Sequence, residues 1–108
     1  ILRYWLVNNG FGICRELIAE DAGVLYQVLT ARSGGETRIT DSELFTGKYE
    51  LAEDKALYLR LLREQHRRFD KAVHEMSSGD KCPEYKLRLF EALLDQLTEM
   101  RERYDTDK

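Results

Sequence analysis

The run from Tyr49 to Met76 contains neither Gly nor Pro, and apolar residues return in it every three or four positions. That spacing predicts one long helix. Tyr58, Leu62, Phe69, Ala72 and Met76 form a stripe broken by Gln65, and Leu57, Leu61 and Val73 widen it to a face. At about 1.5 Å per residue the helix is roughly 40 Å long, so it needs packing partners along its whole length.

The next helix supplies one. Ser77 to Lys81 is a polar, glycine-containing break, and Pro83 suits the first turn of a following helix, where its missing N–H costs nothing. Phe90, Leu93, Leu97, Met100 and Tyr104 then alternate steps of three and four, a seam close to a heptad, with Leu87, Leu89 and Leu94 beside it. A short loop between two amphipathic helices predicts an antiparallel hairpin over residues 48–104.

Upstream, residues 1–47 read as shorter helices. Ile1 to Val7 is too short for periodicity to separate helix from strand, and helix is preferred because no second strand is evident; Trp5 reads as a core anchor. From Gly12 to Arg32 the positions Ile13, Cys14, Leu17, Ile18, Ala22, Leu25, Val28 and Leu29 fit helical spacing, with Gly23 either tolerated inside one helix or marking a turn between two. Thr40-Asp41-Ser42-Glu43 fits a capping box ahead of a short helix bearing Leu44 and Phe45, which Gly47 is placed to end. Glu50, Glu53 and Asp54 suit the first turns of the long helix that follows. The expected fold is all-α: one helical domain of 108 residues, a bundle with a long antiparallel C-terminal hairpin.

Charge narrows the partners. Charged residues make up 34% of the chain, but acids and bases are interleaved and the net charge is −3, so no polybasic surface stands out. Cys14 and Cys82 are too few and too distant for a disulfide framework or zinc motif, which favours a reducing, cytoplasmic setting. No apolar run is long enough to span a membrane.

Constellations for catalysis are sparse. His66 and His74 stand two helical turns apart, about 12 Å along the axis, and cannot share a metal from one helix. Cys82 sits near a helix start, where a thiol is activated, but no base accompanies it in sequence. Gly10-Phe11-Gly12 and Gly34-Gly35 lack the spacing of a phosphate loop. Arg60, Arg63, Arg67, Arg68 and Lys71 are the densest basic region, yet Glu64 and Asp70 interleave with them. These residues predict no catalytic site, metal or cofactor.

One segment points at a function. Ala19-Glu20-Asp21-Ala22-Gly23-Val24-Leu25-Tyr26-Gln27-Val28-Leu29-Thr30 resembles the helix-turn-helix of LacI-type bacterial repressors, with Ala19 as the small packing residue, Gly23 in the turn and Val24 after it. The resemblance implies that Tyr26, Gln27, Thr30 and Arg32 lie on a recognition helix that reads base edges. Against it, Leu25 and Ala31 depart from the pattern, and the candidate helix keeps Arg32 as its one cation. The favoured expectation is a non-catalytic protein-interaction or regulatory module that forms a homodimer through Tyr58, Leu62, Phe69, Met76, Phe90, Leu97 and Tyr104, because excess apolar seam demands cover. DNA binding through residues 13–32 is the alternative.

Overall fold

The computed structural model describes residues 2–35, 37–79 and 81–105, so Ile1 and Asp80 of the segments above lie outside it. The elements in order are α1 (Leu2–Asn8), β1 (Phe11–Asp21), β2 (Val24–Ser33), α2 (Glu43–Thr46), a 3-10 turn (Tyr49–Leu51), α3 (Lys55–Ser78) and α4 (Glu84–Tyr104). The fold is therefore α+β and not the all-α bundle expected. The chain divides into two compact units, Ile1–Leu61 and Leu62–Lys108.

The correction lies in residues 11–33, where β1 and β2 pair antiparallel. Ala22 and Gly23 both have positive φ, 52° and 82°, as a two-residue turn of the primed type requires. Gly23 thus marks a turn, but between strands. The helical spacing has a specific cause. Ile13 pairs with Ala31 and Arg15 with Thr30, leaving Cys14 as a bulge. The extra residue puts Ile13, Glu16 and Ile18 on one face, and all three are buried. A step of three followed by a step of two mimics a helix at this length. Leu17, Val24, Tyr26 and Val28 fall on the other face and are exposed, so apolar residues on both faces erase the alternation that marks a half-buried strand.

The first unit is tied together by an ion pair. Arg3 is 5% exposed and Glu16 3%. The Arg3 Nη2 donates to Glu16 Oε1 at 2.6 Å and also to Gln27 Oε1, while Nη1 donates to the Leu44 carbonyl at 3.1 Å. Glu16 in turn accepts from the Lys48 backbone N–H at 3.4 Å, and its own carbonyl accepts from the Glu53 N–H at 3.0 Å. Helix α1 therefore buries an arginine and leaves Trp5 52% exposed, stacked on Phe11 with centroids 5.9 Å apart. The core-anchor reading of Trp5 is corrected: the first unit's interior here is ionic.

The segment after the hairpin follows its sequence signals. Glu43 N–H donates to Thr40 Oγ1 at 3.2 Å and Thr40 N–H to Glu43 Oε1 at 3.0 Å, the reciprocal pair of a capping box. Gly47, at φ 78°, ends α2, and a Cβ there would overlap the Glu16 carboxylate. The long helix starts later than expected, at Lys55, because residues 49–51 form a 3-10 turn; Asp54 Oδ1 accepts from the Leu57 N–H at 3.1 Å and caps it. Tyr58, 1% exposed, donates its hydroxyl to the Gly47 carbonyl at 2.8 Å and meets Tyr49 edge-on. Glu53 pairs with Arg15, and Glu20 with Arg60.

In the second unit α3 and α4 run antiparallel, since Arg63 meets Asp105, His66 meets Thr98 and Phe69 meets Phe90. Leu62 and Leu97 are wholly buried, with Phe69, Leu93 and Met100 nearly so.

Removing one partner of the buried pair leaves the other charge stranded. Glu16→Ala is expected to cost about 3–5 kcal/mol of stability, seen as a lowered urea midpoint with the helical signal of the second unit retained. A loss below about 1 kcal/mol would show that water reaches Arg3 freely.

Candidate functional site

A groove of about 320 Å³ in the second unit is lined by His66 on α3 and by Thr98, Arg101, Glu102 and Asp105 at the end of α4. Its hydrogen bonds define the state of the imidazole. Thr98 gives its hydroxyl proton to the Leu94 carbonyl at 2.9 Å, so at 3.0 Å from His66 Nε2 it can only accept. Nε2 therefore carries the proton, and Nδ1 is left to accept from Arg101 Nη1 at 3.4 Å. A neutral ring follows. Partial burial, and then the Arg101 guanidinium, hold His66 below its ordinary pKa, against the opposing pull of Asp70. With both ring nitrogens engaged, His66 braces α3 against α4 and is not a free base.

Asp105 closes the end of the groove. Arg63 grips it with two parallel hydrogen bonds of 2.7 and 2.6 Å, and Arg101 Nη2 stands 3.8 Å away. The Arg63 hydrogen bonds hold the Asp105 carboxyl below the usual carboxylate range, against the cost of partial burial, with the charges of Arg63 and Arg101 assisting.

A second feature lies on the outside of α3. Arg63, Arg67, Lys71 and His74 recur at steps of four, four and three, which at about 100° per residue places them across the helix from Leu62, Phe69 and Met76. The row spans roughly 16 Å. Arg68 pairs with Glu64 at its flank, whereas Arg67 and Lys71 have no ion-pair partner among the described residues. Helix α3 carries six Lys and Arg against three Asp and Glu; α4 carries four against five. The net charge of the chain hides this local excess.

The residues singled out from sequence fall into two groups. Of the hairpin set, Tyr58, Leu62, Phe69 and Leu97 are buried, and Met76, Phe90 and Tyr104 are half-buried. Phe69 and Phe90 lie with ring centroids 5.3 Å apart. Tyr26, Gln27, Thr30 and Arg32 all sit on β2, and Gln27 is taken by Arg3. A recognition helix does not exist here, so the helix-turn-helix reading is corrected along with the fold. His74 is exposed, and Cys82 is half-buried with its Sγ beside the Pro83 carbonyl. The His66–Thr98–Arg101 cluster was not singled out. Its signal is faint: His66 lies at the edge of the α3 stripe, a step of four before the acid Asp70 and four after Leu62.

Comparison with known proteins adds what geometry cannot. The family model TrmK, described as tRNA (adenine(22)-N(1))-methyltransferase, matches residues 1–99. No curated protein matches. The fold is similar to the crystal structure of a Streptococcus pneumoniae protein named as a candidate tRNA (m1A22) methyltransferase, with a TM-score of 0.64 and 20% identity over 91% of this chain and 42% of that one. The chain thus spans less than half the length of that protein. A methyltransferase family overturns two expectations: a non-catalytic interaction module, and a DNA-binding regulator. Sequence reasoning declined an enzyme because motifs for one were absent from this stretch.

The neutral state of His66 makes a signed pH prediction. Its depressed pKa means that the folded hairpin takes up a proton less readily than the unfolded chain. Its contribution to stability is full above the ordinary histidine value of about 6.5 and is lost as pH falls through the lower folded value. His66→Gln should flatten the fall in melting temperature below about pH 6.5. An unchanged pH profile would show that His66 titrates normally in the folded protein.

Proposed function

This chain belongs to the TrmK family of tRNA (adenine(22)-N(1))-methyltransferases, and we propose that it serves methyl transfer to N1 of an adenine in tRNA, with α3 as the side that holds the RNA. The observation that carries the RNA part is the outward row on α3. RNA affinity rests largely on neutralising phosphates, and Arg67 and Lys71 are exposed cations with no internal counter-ion among the described residues. A tRNA substrate supports an intracellular setting for the protein. No helix among the described residues is long and apolar enough to cross a membrane.

The methyl donor that such a reaction needs does not fit the residues described here. Gly34 N–H donates to the Gly10 carbonyl at 2.8 Å, and Gly35 approaches Gly12 so closely that a Cβ would come within 2.7 Å of its Cα. These glycines close the base of the hairpin and form no cradle for a nucleotide. The groove of the second unit is open, its imidazole bonded on both sides and its Arg101 guanidinium 3.8 Å from Asp105. It offers no slot for an adenine ring. We therefore assign this stretch to substrate binding and derive no chemical step from it.

Fluorescence anisotropy of labelled tRNA against the protein tests the reading. The double variant Arg67→Glu, Lys71→Glu should weaken binding by about tenfold or more. It should also make the slope of log affinity against log salt shallower, by about 0.7–0.9 for each phosphate no longer neutralised. Equal affinity and equal slope in the variant would remove α3 as the RNA-holding side.

A further inference from the structure

Arg63 stands at the N-terminal end of the outward row on α3, one step of four before Arg67, yet it differs from its neighbours in being engaged. Its guanidinium meets both oxygens of Asp105 at 2.7 and 2.6 Å, the paired geometry by which arginine also takes two oxygens of a phosphate. Arg101 stands on the same carboxylate at 3.8 Å, so two cations converge on one acid. That acid is the residue immediately after α4, held there by its backbone N–H bond to the Arg101 carbonyl at 2.9 Å. The Arg63 side chain is 45% exposed, within reach of a ligand arriving along α3.

We propose that the fork of Arg63, with Arg101 beside it, is a phosphodiester site for RNA that Asp105 occupies while RNA is absent. This rests on the reading of α3 as the RNA-holding side and extends it by one residue. The carboxylate is a competing internal anion. Binding exchanges Asp105 for a backbone phosphate, no bond is made or broken, and Arg63 joins Arg67 and Lys71 as a third cation on the strand. Arg101 keeps its hydrogen bond to the neutral His66 and faces the incoming phosphate. The internal anion lowers affinity for any polyanion and thereby favours a ligand with phosphates spaced to engage the whole row.

The test measures tRNA anisotropy across a salt series for the wild type, Asp105→Asn, Arg63→Gln, the Asp105→Asn, Arg63→Gln double variant, and Glu91→Gln. The last removes one exposed acid of α4 outside the cluster and controls for net charge. Asp105→Asn should bind tRNA about three- to tenfold more tightly and steepen the salt slope by about 0.7–0.9, the increment of one further neutralised phosphate. Arg63→Gln should weaken binding and abolish the gain when combined with Asp105→Asn. Far-UV circular dichroism and thermal melting of each variant establish that the hairpin is folded, and a purely structural role for Asp105 would move the melt without steepening the slope. Tightening equalled by Glu91→Gln, or surviving Arg63→Gln, would overturn the proposal in favour of general electrostatics. If the Arg67→Glu, Lys71→Glu variant loses binding while Asp105→Asn changes nothing, the RNA-holding side stands and this site falls. Absence of tRNA binding by every form would overturn both.

Discussion

The first unit depends on a charge pair placed where a hydrophobic contact would be expected. Arg3 and Glu16 are nearly sealed from solvent, and between them they connect α1, both strands, the end of α2 and the approach to α3. Desolvating two charges costs several kcal/mol each, and the mutual attraction offsets this only when remaining donors and acceptors are also satisfied. Here they are: Gln27 and the Leu44 carbonyl take the other guanidinium protons, and the Lys48 N–H reaches the second carboxylate oxygen. Such a network is directional in a way that apolar packing is not. It fixes which face of β1 turns inward and how closely Gly47 must approach.

That dependence explains what could and could not be read from the chain. Signals carried by neighbouring residues were legible: the capping box at Thr40 and Glu43, the stop at Gly47, Pro83 before α4, and the long stripe from Tyr58 to Met76 all describe the molecule. The hairpin was not, because its bulge at Cys14 imitates a helical step and its exposed face carries Leu17, Val24, Tyr26 and Val28. Nor was the ion pair. Arg3 and Glu16 are thirteen positions apart, with a strand start and a helix end between them, and nothing local marks either as a partner of the other. Trp5 stands out as the bulkiest apolar residue of α1, while the arginine two places before it is the one the fold encloses.

The candidate site was half legible for a similar reason. Net charge averages over the whole chain, and a total of −3 conceals a helix with twice as many cations as acids. The basic cluster was visible, and what structure adds is its sorting. Arg60 and Arg68 are engaged with Glu20 and Glu64, Arg63 is held by Asp105, and Arg67 and Lys71 face outward. The match over residues 1–99 supplies the family, and no residue of this stretch points by itself to that family's chemistry.

The bulge also decides where the length of this chain is negotiable. Cys14 is skipped in the pairing, so a relative lacking that one residue would pair Ile13 and Arg15 as ordinary neighbours and keep Ile13, Glu16 and Ile18 on the same side. Loss or gain of a residue between Glu16 and Ile18 would instead turn Ile18 off the face it shares with Glu16 and shift the partners on β2, because side chains in a strand alternate with period two. Across evolutionary time the strand therefore has a single hinge for insertions and deletions, and a gap at that position is compatible with an unaltered interior where a gap two places on is not.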